Sequence, residues 1–265
     1  ESWIHEIIRR KKLYELQELS RRSFEEPEAL REELLNAARA FLPEETVREH
    51  FIPRYRPWQQ RLAFIPNGDL FQGIAAGKAS VVTGEIERFT EKGVLLKSGQ
   101  ELEADIVITA TGFDLCMMGD IAFAVDGKPV DWSQTVNYRG MMFTGVPNLV
   151  WVMGYFRASW TLRVDLVADF VCRLLNHMRD RGAARVEVRL RPEDKDMPLL
   201  DWIDPQNFNP GYLMRGMHLL PKRGDKPEWM HNQDYWRERE EIPAIDLEGA
   251  EFVYSAETPV AQAAE

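Results

Sequence analysis

Residues 103–114, EADIVITATGFD, carry the strongest local indication of the fold. Residues 106–110 form an apolar run that is too short for a helix and rich in β-branched side chains, as in a strand covered on both faces. The sequence therefore predicts a central strand of an α/β sheet here. Ala110, Thr111 and Gly112 end the run, and small residues at a strand end let the backbone approach a ligand. A simple glycine turn after a core strand explains the same three residues equally well.

Two flanking segments share residue types and order with a known enzyme family. They are HFIPRYRPWQQRLAFIPNGDLF, residues 50–71, and YRGMMFTGVPNLVWVMGYFRASWTLRVDL, residues 138–166. With the strand region they resemble the class B flavoprotein monooxygenases (FAD-containing monooxygenases), in particular the Baeyer–Villiger monooxygenases that oxygenate ketones and, in some members, sulfur compounds. The resemblance implies FAD and NADPH as cofactors, O₂ as co-substrate, and a small ketone or sulfide converted through a flavin peroxide.

Enzymes of this family carry two Gly-x-Gly-x-x-Gly turns for the FAD and NADPH phosphates, and neither turn occurs in this sequence. The resemblance therefore implies an α/β chain made of the C-terminal parts of two Rossmann-like dinucleotide-binding domains with a helical insertion. Residues 1–109 would complete the NADPH-binding domain and carry the insertion, and residues 110–265 would complete the FAD-binding domain. We expect such a fragment to be inactive in isolation.

Composition narrows the class of protein. The chain has 265 residues and a formal net charge of −10, which argues against nucleic acid as a partner. No apolar stretch approaches the roughly 20 residues of a transmembrane segment, and we expect a cytoplasmic protein. The two cysteines, Cys116 and Cys172, and the five scattered histidines lack metal-ligand spacing, so no metal site is predicted.

Periodicity predicts the local elements. Helical spacing indicates two helices within residues 2–40, and prolines predict an irregular segment over residues 43–68. Apolar positions from Leu162 to Met178 indicate an amphipathic helix. Short strands are predicted at residues 81–82, 86–89, 94–96, 148–153 and 186–190, a hairpin turn at Asp126-Gly127, and disorder at the final VAQAAE.

The resemblance implies an active-site arginine in the segment PRYRPWQQRL. Alignment with the Lys-Arg pair of the wider family places Gln60 at the lysine and Arg61 at the arginine. A cation held near the reacting oxygen stabilises the negative charge that develops there, so Arg61 is the candidate catalytic residue. Gln60 departs from the family pattern and could change how the nicotinamide is held. Most arginines in loops are simply exposed, and that reading stays open for Arg61.

Aromatic and helix-capping residues supply the other candidates. Trp58 is either a core aromatic or a wall of the substrate pocket, and Tyr55 is a weaker pocket candidate. Ser159 or Thr161 can cap the amphipathic helix. The resemblance places residues 159–161, which include Trp160, against the flavin, where a helix N-terminus favours negative charge on the reduced ring. An ordinary capped helix is the alternative.

Two hypotheses follow. The first is part of a flavin-dependent monooxygenase that forms esters or lactones from ketones, with sulfoxidation as a side activity. The second is a non-catalytic fragment or interaction module, because the phosphate-binding turns are missing from the sequence.

Overall fold

The computed structural model describes residues 2–256 and contains both helices and strands, which confirms the mixed α/β class. The predicted disorder at VAQAAE lies outside the described residues. The helices are α1 Ser2–Glu25, α2 Pro27–Arg39, α3 Glu44–His50, α4 Asp69–Ala75, α5 Trp160–Asp180, α6 Gly211–Gly216 and α7 Tyr235–Glu241. The strands are β1 Ile86–Phe89, β2 Gly93–Leu96, β3 Glu101–Glu103, β4 Ala124–Val125, β5 Lys128–Pro129, β6 Asn137–Tyr138, β7 Met142–Phe143, β8 Arg185–Val188, β9 Leu200–Asp201, β10 Lys222–Arg223 and β11 Phe252–Ser255. Among described residues, no helix combines the length and apolar character needed to cross a bilayer.

The chain divides into two compact units. The smaller unit is Glu18–Phe113, and the larger unit combines Glu1–Gln17 with Asp114–Glu265. The strands given above form six pairs, β1–β2, β2–β3, β4–β5, β6–β7, β8–β11 and β9–β10, and all six are antiparallel. The assignment of residues 1–109 to an NADPH-binding domain and of residues 110–265 to an FAD-binding domain stays a prediction.

Two of the helices in the smaller unit pack around a small apolar core. Pro27 starts α2, where its missing N–H costs no hydrogen bond. Leu35 and Ala38 of this helix pack against Leu42 and Val47. The prediction of two helices within residues 2–40 is confirmed.

The prediction that residues 43–68 hold no regular helix is wrong for α3. Pro43 stands at the N-cap of this helix, where a proline can be accommodated, and residues 44–50 contain no proline. The helix ends at His50, before Ile52 and Pro53.

The predicted meander forms over β1, β2 and β3. Phe89 pairs with Val94 across the first turn, and Val94 pairs with Leu102 across the second. Gly93 has φ +153°, and a Cβ atom there would lie 2.0 Å from the carbonyl oxygen of Leu102, so only glycine fits. The strand predicted at residues 81–82 does not form.

The central strand predicted at residues 106–110 is wrong for the described chain. The segment pairs with no strand, and Ile106 and Ile108 are 79% and 85% exposed. A β-strand needs a neighbour to accept and donate its backbone hydrogen bonds, and none of the described residues supplies one here. An apolar segment thus lies exposed at the end of the smaller unit.

Helix α5 organises the larger unit. Val167, Phe170 and Leu174 are buried and pack in one cluster with Met141 and Met142, which agrees with the amphipathic helix predicted from Leu162 to Met178. The same cluster includes side chains of β8 and β11, which form a two-stranded sheet. The predicted strand at residues 186–190 is therefore confirmed, with bounds shifted by one or two residues.

In the larger unit one predicted hairpin turn forms and one predicted strand does not. Asp126 and Gly127 have positive φ angles of 52° and 76° and join β4 to β5, as the predicted hairpin requires. The strand predicted at residues 148–153 is wrong. The backbone N–H of Trp151 donates to the carbonyl of Met141, but the segment forms no continuous ladder of backbone hydrogen bonds with another described strand.

A buried carboxylate anchors the region after β8. Asp194 is fully buried and accepts hydrogen bonds from Arg191 Nε at 2.6 Å, from Trp229 Nε1 at 2.8 Å and from Lys226 Nζ. Burial opposes its ionisation, but these donors outweigh burial and hold the pKa of Asp194 well below its ordinary value. The carboxylate is therefore charged in the folded protein at neutral pH.

Candidate functional site

The loop that carries Tyr55 and Arg61 is tied to the helices of its own unit. Arg31 donates from Nη2 to the carbonyl of Tyr55 at 3.1 Å. The Arg56 guanidinium lies 4.1 Å from the centre of the Phe24 ring and donates to a backbone carbonyl of α1. These contacts fix the course of a segment that has no regular secondary structure.

Trp58 is the most constrained residue of this loop. It is 3% exposed and has φ +62°, a left-handed conformation that is rare for a bulky side chain. Its ring lies 5.9 Å from that of Phe64, and its indole N–H meets no hydrogen-bond acceptor among residues 2–256. Burial agrees with the core reading, while the pocket role of Trp58 and of half-buried Tyr55 stays a prediction.

Arg61 and Gln60 follow on the same loop. Arg61 is exposed, and within the described part of the chain no carboxylate or carbonyl pairs with its guanidinium. Gln60 is half-buried. The positive charge of Arg61 is therefore available to a ligand, as a catalytic role requires, and that role stays a prediction.

Residues Ala110, Thr111 and Gly112 lie exposed at the end of the smaller unit. Gly112 has φ +97°, and a Cβ built on it would meet no atom within 4 Å. The backbone there is open to the approach of another group. Whether that group is a cofactor stays a prediction.

The second set of candidate residues begins α5 in the larger unit. Ser159 occupies the N-cap position, but its hydroxyl lies 2.8 Å from that of Thr161 and caps no helix N–H group. No acidic residue stands in the first turn. The helix N-terminus thus presents partial positive charge without an internal anion, which favours an external one.

Trp160 explains the glycine that precedes this turn. A Cβ atom at Gly154 would lie 2.1 Å from Cγ of Trp160, so the glycine makes room for the indole ring. Trp160 itself is 50% exposed. The indole ring therefore packs against the backbone at Gly154 and still leaves surface free for contact.

A buried ion pair lies next to the N-terminus of α5. Arg163 and Glu238 of α7 have side chains 0% and 3% exposed, and Arg163 Nε donates to Glu238 Oε2 at 2.8 Å. Tyr155 donates its hydroxyl to the same carboxylate oxygen at 2.6 Å. Burial, and next the charge of Glu238, raise the pKa of Tyr155, so that it stays protonated.

The Arg163 guanidinium makes a second contact with Glu238, from Nη2 to Oε1 at 3.2 Å, and it also binds backbone carbonyls. Its Nη1 donates to the carbonyl of Met153 at 2.8 Å, and further N–H groups reach the carbonyls of Arg139 and Gly140. Burial, and next the charge of Arg163, hold the pKa of His231 well below its ordinary value, so the imidazole is neutral. Arg163 thus joins α5, α7 and the preceding loops into one rigid support.

Several curated relatives, EthA and AlmA among them, match most of the chain, while no protein-family model matches it. "FAD-containing monooxygenase EthA" of Mycobacterium tuberculosis is 46% identical over 230 residues, which are 85% of this chain and 46% of EthA. "Probable FAD-binding monooxygenase AlmA" of an Acinetobacter species is 40% identical over 216 residues, 82% of this chain and 43% of AlmA. The chain belongs to the FAD-containing monooxygenase family. It spans about half the length of the curated relatives that it matches.

A solved structure supports the fold of this family member. The crystal structure of OTEMO in complex with FAD and NADP has a TM-score of 0.64 over 88% of this chain and 46% of the OTEMO chain. The two sequences are 18% identical, so the likeness concerns the fold alone.

The predicted site residues of this chain fall into both units. Residues 55–61 and 110–112 belong to the smaller unit, and residues 159–161 belong to the larger unit. Sequence reasoning missed Arg163 and Glu238. The sequence does carry a signal for the burial of Arg163, because its spacing places it on the same face of α5 as Val167, Phe170 and Leu174. Glu238 lies among other charged residues, so the sequence does not distinguish it from exposed ones.

Proposed function

We propose that the chain is part of a flavin-dependent monooxygenase that inserts one oxygen atom from O₂ into ketones, with FAD as cofactor and NADPH as reductant. The observation that carries this proposal is the 46% identity to EthA, whose name states that it contains FAD. The proposal includes a small ketone or sulfide as substrate, ester or lactone formation, sulfoxidation as a side activity, and a cytoplasmic location.

The start of α5 fits a flavin by its own chemistry. Ser159, Trp160 and Thr161 offer two exposed hydroxyls, an indole face and uncapped backbone N–H groups. These groups would hold the flavin ring, and the positive helix end would stabilise the negative charge of its reduced form. Bound FAD, once reduced by NADPH, would supply the activated oxygen.

Arg61 supplies the cation of the proposed reaction. Its guanidinium has no partner among the described residues, so it can orient and stabilise negative charge that develops on a substrate oxygen. Gln60 beside it can hold a carboxamide by hydrogen bonds, and Trp58 and Tyr55 exclude water from the substrate. Ala110, Thr111 and Gly112 offer small side chains where the backbone must approach a cofactor.

The first test is cofactor retention. The protein, in the longest form that its gene encodes, is incubated with FAD and desalted, and its absorbance spectrum is recorded. We expect a retained flavin absorbance band that disappears when NADPH is added in the absence of oxygen. A colourless protein would refute FAD binding by that form.

The second test addresses Arg61 in the same form of the protein. We expect Arg61→Ala to leave flavin reduction by NADPH intact and to lower ester formation by roughly 100-fold or more, the size seen when one charge-stabilising group is removed. Arg61→Lys should recover part of the rate. Arg88→Ala, on the exposed face of β1, is the matched control and should have no effect. Equal losses in Arg61→Ala and Arg88→Ala would contradict the assignment.

An interaction module is the second candidate function. The exposed apolar segment at residues 106–110 favours it, because an apolar segment with unpaired backbone groups can pair with a strand of another chain. Failure to retain FAD, combined with stoichiometric association of the chain with another polypeptide, would favour this reading over the enzyme.

A further inference from the structure

A cleft opens in the larger unit between the first part of α1 and α7. Its volume is about 530 Å³, which lies within the range of pockets that hold small organic ligands. The lining comes from α1, from Tyr235, Trp236 and Arg239 of α7, and from Leu166 of α5. None of the candidate residues discussed above lines it.

The side chains that line the cleft carry a net positive charge, unlike the protein as a whole. Arg9, Arg10 and Arg239 line it against one acid, Glu6, although the protein as a whole carries a formal net charge of −10. Glu6 pairs with Arg10 at 2.8 Å and more distantly with Arg9 at 3.8 Å. Within residues 2–256 no carboxylate lies at ion-pair distance from Arg239. The cleft therefore has positive charge left over for a ligand.

Polar surface makes up the larger share of the cleft wall, and aromatic and aliphatic side chains supply an apolar part. The rings of Tyr14 and Trp236 stack with their centroids 4.7 Å apart, which holds α1 against α7 at this point. The Arg239 guanidinium lies 5.4 Å from the centre of the Trp236 ring. Leu13 and Leu166 complete the apolar lining. A ligand that fits must carry an apolar body together with an anionic head.

We propose that this cleft binds small organic anions with an apolar body, whose carboxylate or phosphate is held by Arg239 with Arg9 and Arg10. Arginine recognises both head groups through paired N–H donors. The apolar body lies between Leu166 and the stacked rings of Tyr14 and Trp236. This inference rests on the cleft alone and does not depend on the proposed monooxygenase activity.

The test uses octanoate as the probe and titration calorimetry as the readout. Octanoate should bind saturably, octan-1-ol more weakly by about fivefold or more, and octylammonium not at all, since a charge-assisted contact contributes about 1 kcal/mol or more. Octyl phosphate distinguishes the head groups, and binding of either anion supports the cleft. Raising the salt concentration should weaken octanoate binding and leave octan-1-ol unchanged.

Two arginines of α7 form a matched pair of variants. Arg239→Gln should weaken octanoate about fivefold or more and leave octan-1-ol unchanged. Arg237→Gln, on the same helix but outside the cleft and paired with Glu241, should leave both affinities as they are. Far-UV circular dichroism checks that each variant is folded, and Arg9→Gln serves as a second cleft variant.

Three results would overturn the proposal. They are the absence of saturable binding of both octanoate and octyl phosphate, equal affinity for octanoate and octan-1-ol, and equal effects of Arg239→Gln and Arg237→Gln. The second result would mean that the walls bind apolar chains without recognising charge. The third would mean that the anion binds through the general charge of α7.

Discussion

Replacing Glu238 by glutamine should cost a large share of the stability of the larger unit. The substitution keeps the volume of the side chain but removes the only carboxylate within reach of the fully buried Arg163 guanidinium in the described chain. Breaking a buried ion pair by removing one partner costs about 3–5 kcal/mol, because the remaining charge is left without compensation. Folded domains are stable by about 5–15 kcal/mol, so the loss is a substantial fraction of the total.

The size of the effect is limited by what Arg163 retains. Its guanidinium still donates to the carbonyls of Met153, Arg139 and Gly140, which keeps three of its hydrogen bonds. The double variant Arg163→Met/Glu238→Gln should lose less than the sum of the two single losses, because it leaves no unpaired charge. It should not return to wild-type stability, since the three carbonyls lose their donor.

Equilibrium unfolding in urea, followed by far-UV circular dichroism, measures these differences. The control is Glu248→Gln, which removes a carboxylate from an exposed pair with Arg181 and should change the free energy of unfolding by less than about 0.5 kcal/mol. A Glu238→Gln variant that lacks a cooperative transition would mean a loss greater than the wild-type stability. A change below about 1 kcal/mol would refute the reasoning, because a buried charge cannot lose its partner at so small a cost.

Two further predictions concern single residues. Gly93→Ala should destabilise the β1–β3 meander by at least about 1–3 kcal/mol, because it adds a clash with the carbonyl of Leu102 to a strained φ. Gly99→Ala, where a Cβ meets no atom within 4 Å, should lower the free energy of unfolding by less in the same urea titration. The depressed pKa of Asp194 stabilises the fold fully above its ordinary pKa of about 4, and this contribution is lost as the pH falls below that value. Asp194→Asn should therefore lower stability at pH 7 and flatten its decline between about pH 4 and pH 2, and an unchanged acid limb would contradict the assignment.

Helices were predictable from the sequence because their hydrogen bonds and their apolar spacing are local. The two helices within residues 2–40 and the helix α5 follow directly from the 3.6-residue period. The hairpin at Asp126-Gly127 follows from turn chemistry, since both residues tolerate positive φ. Helix α3 departs from the prediction because the proline spacing leaves room for a helix that begins immediately after Pro43.

Strands and buried charges were less predictable because both depend on residues distant in sequence. The run at residues 106–110 has the composition of a core strand but no neighbour among the described residues. The partners Arg163 and Glu238 are 75 residues apart. An isolated charge in the sequence does not reveal whether a distant carboxylate will meet it.

The sequence by itself determined the family, the main helices, the meander and the candidate residues on the loop of Arg61 and at the start of α5. These depend on residue order and on contacts a few positions apart. Only the tertiary structure decided that Arg163 supports the helix behind Ser159, that Trp160 fills the space left by Gly154, and that an arginine-rich cleft lies between α1 and α7. The ion pair of Arg163 and the cleft each require side chains that are far apart along the chain to share one small volume, and burial and charge take effect only after folding brings them there.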